Sequence, residues 1–171
     1  AQIRLTHDRL GRVTGRTYLD MIGNPVENTS GFAQIMYDLN GLGQTNREYY
    51  FAVDGSAKPL LGCYTSKQYS YDDRGYTIQE TFLGESDWPI KVPDGYAYID
   101  RSYDNQGNVL SVTYSDENHT LINSVQGYAQ IRYMYDERGN CLQRSYLDYT
   151  GNAALNESGY AHVTYTYDDL D

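Results

Sequence analysis

The chain has 171 residues, carries a formal charge of −10 at neutral pH and contains no run of Lys and Arg. That balance excludes nucleic acid, whose phosphates demand clustered cations, and anionic membrane surfaces. Twenty tyrosines and sixteen glycines against four prolines, among many Asn, Ser and Thr, make the polar, aromatic-rich β composition that secreted and surface proteins carry, and no apolar stretch approaches the length of a membrane span.

One pattern recurs along the chain at a fixed period of 32 residues, as the series Gly11, Gly43, Gly75, Gly107 and Gly139 shows. Such a period is the signature of a repeat array. The first unit, about 1–30, places Asp8 and Gly11 in a first turn, Tyr18 on the strand that follows, and a second turn over Asp20 to Gly23. In the second, 31–62, Ile35, Tyr37 and Leu39 alternate as strand residues do; Asn40 then stands in the aspartate slot, with Gly43 after it and Tyr50 on the returning strand. The third, 63–94, opens on Cys63 in place of the usual glycine, carries Asp72 and Gly75, and returns through Ile78 and Phe82. Its connector, Trp88 to Asp94, reads as a short third strand or an extended loop.

The fourth unit, 95–126, repeats the scheme with Ile99, Tyr103, Asp104, Gly107, Leu110 and Tyr114, and ends on a second connector from Asn118 to Ser124. The fifth, 127–158, is the clearest. Ala129, Ile131, Tyr133 and Tyr135 line one face of a first strand, and Asp136-Glu137-Arg138-Gly139 turns the chain. There the carboxylate accepts from backbone NH groups ahead of it while glycine takes positive φ at little cost. Asn140 to Leu147 returns with Leu142 and Tyr146 on one face, and Asp148 to Gly151 closes a second turn. A partial unit, 159–171, holds Val163, Tyr165, Tyr167 and Asp168, with Asp171 in the glycine slot. The predicted fold is all-β: tandem 32-residue β-hairpin repeats stacked as a twisted solenoid or spiral sheet, with Tyr and Ile/Leu rows as the core. Residues 1–171 form one array, cut at both ends and expected to be a fragment of a longer one whose open ends invite self-association.

The run GYAQIRYMYDERGNCLQRSYLDYTG, with its Tyr-x-Tyr-Asp-x-x-Gly and following Tyr-x-Asp, resembles the YD repeat of Rhs and teneurin-type proteins. Strong copies stand at Tyr69 to Gly75 and Tyr133 to Gly139, with Tyr165 to Asp168 in the partial unit. The usual YD unit is shorter than this one. The resemblance implies a β-hairpin spiral in a large extracellular, secreted or toxin-associated protein, where repeats scaffold or encapsulate and do not catalyse. A looser similarity, in the spacing of Gly, Tyr and Asp, links the chain to bacterial glucan-binding and cell-wall-binding repeats, which implies glycan binding.

Read for chemistry, the chain offers little beyond binding. The recurrent aspartates suit turns better than a calcium row, since Asp-x-x-Gly is self-sufficient and Asn40 replaces one member. His7, His119 and His162 occupy different phases of the repeat, as do Cys63 and Cys141, so neither a metal site nor a disulfide is predicted. No nucleophile, zinc or phosphate-loop motif is present, and no enzyme activity or cofactor is expected. Candidate binding residues are the aromatics at positions where other units carry small or polar residues: Tyr49, Tyr76, Trp88, Tyr98 and Tyr149. Exposed Tyr and Trp rings stack on sugars or anchor protein partners at low entropic cost. Sequons at Asn28, Asn118 and Asn156 matter only in a eukaryotic secretory setting. The expected function is a secreted or cell-surface, non-catalytic module that binds glycan or protein; the alternative is a structural wall, as a shell or a shaft.

Overall fold

The structure, a computed structural model, describes residues 2–168. Ala1 and Asp171, at the two expected cuts, lie outside them. Among the described residues there are eleven β-strands and no helix. They are β1 (Gln2–His7), β2 (Val13–Leu19), β3 (Gln34–Leu39), β4 (Thr45–Phe51), β5 (Ser66–Tyr71), β6 (Thr77–Leu83), β7 (Tyr98–Tyr103), β8 (Val109–Ser115), β9 (Gln130–Tyr135), β10 (Cys141–Leu147) and β11 (His162–Thr164). The odd-numbered strands begin at Gln2, Gln34, Ser66, Tyr98, Gln130 and His162, each 32 residues after the last.

The chain forms two compact units, Ala1–Ser70 with Thr81–Ile90, and Tyr71–Glu80 with Lys91–Asp171. In the first, β1 to β5 lie side by side in sequence order, antiparallel throughout. In the second, β7 to β11 do the same. Sequence neighbours pair because their connections are tight turns, which only antiparallel strands accept.

Those turns share one construction. Gly139 N donates to the Asp136 carbonyl (3.1 Å) and Asp136 N to the Asn140 carbonyl (3.0 Å). Arg138 N and Asn140 N both donate to the Asp136 carboxylate, at 2.9 and 2.8 Å. Gly139 sits at φ 89°, and the register slips by one residue between Cys141 and Gln143. This is a type I turn followed by a glycine bulge. Asn40 makes the same two bonds through its amide oxygen, to Leu42 N and Gln44 N at 2.9 and 3.0 Å.

Past the second turn the chain folds back for a single bridge, Leu19↔Pro25 and Leu147↔Ala153 being two instances. The connector is thus neither a full third strand nor a free loop. It ends in a third turn, in which Asn28 Oδ1 accepts from Ser30 N and Phe32 N (2.9 and 3.3 Å) and Gly31 takes φ 83°. The glycine that opens most repeats in the sequence closes this turn in space, and Cys63 takes that place in the third.

Packing interleaves two positions of the repeat. In the first unit Tyr18, Phe32, Tyr50, Tyr64 and Phe82 form a row with successive ring centroids 5.7, 5.2, 5.8 and 5.0 Å apart, tilted or edge-on. In the second, Tyr96, Tyr114, Tyr128, Tyr146 and Tyr160 do so at 4.7, 6.1, 4.8 and 6.2 Å. Each row alternates a ring from a repeat's opening with one from its second strand. Like-with-like ladders of equivalent tyrosines are not what packs. Ala33, Ala97 and Ala129, beside the opening ring, are at most 1% exposed. Leu110 and Leu142, expected to share the packed face with Tyr114 and Tyr146, stand 40% and 38% exposed, because they sit at the strand starts, away from the aromatic row.

The tyrosines before three of the motif aspartates share a separate task. Tyr103 Oη donates to the Thr77 carbonyl (2.8 Å), Tyr135 Oη to that of Val109 (3.0 Å) and Tyr167 Oη to that of Cys141 (2.9 Å). Each phenol thereby ties its segment to the hairpin before it.

The turn carboxylates give the fold an acid limit. Asp136 is held below its ordinary pKa chiefly by the Asn140 backbone NH, and Asp8 chiefly by that of Arg12. For Asp104, desolvation is the largest influence and raises the pKa, but the bonds from Asn108, Gln106 and Gly107 together outweigh it. A carboxylate with a depressed folded pKa stabilises above its unfolded value and loses that contribution as pH falls through the folded one. The thermal midpoint is therefore expected to fall steeply below about pH 4. Asp136→Asn, which copies Asn40, should shallow that slope in a calorimetric pH series; an unchanged slope would remove Asp136 from the account.

Candidate functional site

The five aromatics singled out by sequence have different fates. Trp88 and Tyr149 stand free, 76% and 59% exposed. Tyr98 is half-buried and stacks on His119 at 4.4 Å, and the Asp100 carboxylate accepts a hydrogen bond from the His119 ring at 2.9 Å. Tyr76 stacks on Tyr103 at 4.9 Å and carries the Arg74 guanidinium 4.8 Å above its ring. Tyr49 lies under the Arg47 guanidinium at 4.7 Å and donates to Asp38 Oδ2 at 2.7 Å. Burial and then this bond push its phenol pKa up. Tyr49 and Trp88 belong to the first unit, and Tyr76, Tyr98 and Tyr149 to the second.

Tyr49 does belong to a site. A cleft of about 460 Å³ in the first unit is lined by Arg47, Tyr49, Phe51, Ser66, Glu85 and Asp87, among others. β4 supplies Arg47, Tyr49 and Phe51 at alternate positions, so strand geometry sends all three to one side. Ser66 opens β5 and is 1% exposed. Its hydroxyl accepts from Arg47 Nε and Nη2 at 3.2 and 2.7 Å, and Nη2 also donates to Asp87. The Arg47 side chain is 16% exposed and that of Asp87 70%. One ionic partner is thus fixed and the other reaches in from solvent.

Asp87 holds an unusual backbone place. It closes a second turn at φ 62°, in the left-handed region. The residues 32 and 64 positions earlier are Gly55 and Gly23, and that 64 positions later is Gly151, all at positive φ. The residue 32 positions later is His119, at φ 61°, which engages Tyr98 and Asp100 as described. At two successive second turns a side chain therefore replaces glycine and leans over the neighbouring strands, at an expected backbone cost of about 1–2 kcal/mol each. The candidate named from the sequence is the neighbour, Trp88, and not Asp87. The lost glycine was the available signal.

Cys63 and Cys141 are free thiols. Among the described residues no three His, Cys, Asp or Glu side chains gather as metal ligands, and no helix is long and apolar enough to cross a membrane. Comparison with protein-family models finds no match to this chain, and comparison with curated proteins finds none either.

Proposed function

We propose that the chain is a non-catalytic array of tandem β-hairpins, wound as a twisted solenoid or spiral sheet, that serves a larger secreted or cell-surface protein as a binding scaffold for glycan or protein. The observation that carries this reading is the Arg47–Asp87 cleft, lined by aromatic side chains together with hydrogen-bonding groups. The free rings of Trp88 and Tyr149 add contact points, and several weak contacts along one array combine by multivalency. Binding of this chain to immobilised glycans and to surface-protein extracts tests it. Trp88→Ala and Tyr149→Ala should each weaken capture without lowering the thermal midpoint, since both rings are exposed. Retention of no glycan and no protein would sink the reading.

A second reading, a structural wall, draws on the two five-ring rows and the phenol staples, which resist bending in the way a shell or shaft requires. Flanking sequence in the full-length protein separates the two. A toxin-like domain beyond the repeats favours a shell around cargo, an anchor or polymerisation segment favours a shaft, and an appended hydrolase favours an accessory binder.

A further inference from the structure

We infer that the Arg47–Asp87 cleft is a subsite for one neutral polyhydroxylated ring, a hexopyranose unit, held among the aromatic side chains of β4 that line it and the Asp87 carboxylate. The inference rests on the binding-scaffold reading and names its ligand.

Size and lining together select the class. About 460 Å³ falls inside the roughly 300–1,000 Å³ of small-ligand clefts and is too little for a helix or a folded partner. The rim mixes charge: one guanidinium, Arg47, against two carboxylates, Glu85 and Asp87, with the hydroxyls of Ser56 and Ser66 between. An anion entering here meets both carboxylates. A simple cation meets Arg47, which cannot leave, because Ser66 holds it through two nitrogens and Tyr49 lies against it. An apolar guest would strip water from all of these groups without replacing their bonds, which is costly. A sugar ring fits each part. Its hydroxyls both donate and accept, so neighbouring ones can bridge a carboxylate and a guanidinium, and its C–H face packs on aromatic carbon.

The backbone adds an independent mark. Asp87 occupies a slot where Gly23, Gly55 and Gly151 relax the turn, and strain of this kind collects at ligand-binding positions. Its carboxylate, mostly in solvent, can exchange part of its bond to Arg47 for a ligand hydroxyl without unfolding anything.

The test is an amide NMR titration of the ¹⁵N-labelled chain with the methyl glycosides of glucose, mannose, galactose and N-acetylglucosamine, with glucuronate and tetralysine as charged comparators. At least one neutral glycoside is expected to shift the amides of Ser56, Ser66 and Asp87 with millimolar affinity. Asp87→Gly should weaken it about tenfold, the loss of one hydrogen bond to a charged group. That variant restores the residue other second turns use, so its thermal midpoint should match or exceed that of the parent. Glu85→Gln should weaken binding less. The inference fails if no neutral glycoside shifts these amides, if Asp87→Gly leaves affinity within about twofold, or if glucuronate or tetralysine binds the cleft more tightly. Shifts confined to the surroundings of Trp88 or Tyr149 would refute this subsite and leave the binding scaffold standing. Capture of neither sugar nor protein by any route would remove both.

Discussion

Tyr128→Ala is expected to destabilise its unit by about 3–5 kcal/mol, the range for deleting a large buried aromatic. Tyr128 is 7% exposed, its ring centroid lies 4.8 Å from that of Tyr146 and 6.1 Å from that of Tyr114, and it shares a cluster with Ile131 and Ala154. Val112 and Tyr133 also pack against this cluster, so removing the ring strips contacts from several neighbours at once. The phenol hydroxyl, which donates to Gln126, is a smaller contribution. Tyr128→Phe keeps the ring and should cost under about 1.5 kcal/mol, the net worth of an ordinary hydrogen bond. Tyr149→Ala, at an exposed ring, should fall within about 0.5 kcal/mol of the parent. Urea unfolding followed by circular dichroism ranks the three. Equal losses for Tyr128→Ala and Tyr149→Ala would mean that the row is not the core.

Gly107→Ala should cost about 2–3 kcal/mol, and Gly11→Ala only about 1–2 kcal/mol, although both glycines close first turns at positive φ. The shared part is backbone strain, with Gly11 at φ 78° and Gly107 at φ 93°. The excess comes from what a Cβ would meet: nothing within 4 Å at Gly11, but the Tyr76 phenol end at Gly107, with Cζ at 2.7 Å. Tyr76 cannot swing aside without losing its stack on Tyr103 and its contact with Arg74. A double-mutant cycle with Tyr76→Ser isolates this clash: in that background Gly107→Ala should cost no more than Gly11→Ala. If the cost persists undiminished, the strain lies in the backbone alone.

Much of the hairpin plan could be read directly from residue order. Alternation of Ile131, Tyr133 and Tyr135 located β9, and Asp136 with Gly139 located its turn, because both signals are local to a few residues. The third turn escaped because its first position varies among Asn28, Val92, Ser124 and Asn156. There the backbone bond from the glycine NH does the fastening, as from Gly95 to the Val92 carbonyl at 2.8 Å, so no constant side chain announces it. The interleaved row was hidden for a different reason. A fixed period shows which residues are equivalent, whereas contact between Phe32 and Tyr50 joins residues that are not. The cleft needed both kinds of missing information, the reach of Asp87 across to β4 and the burial of Ser66. Trp88 stands out as an aromatic where other units carry a small or polar residue, yet the residue before it makes the ionic contact.

The phenol staples bear on how the protein is made. Tyr103, Tyr135 and Tyr167 each reach a carbonyl 26 residues earlier in the chain, and every strand pairing described lies between sequence neighbours. Closing such short loops costs little entropy, and structures built from local contacts fold fast. In synthesis from the N-terminus, each of these three carbonyls is therefore made before the phenol that it receives.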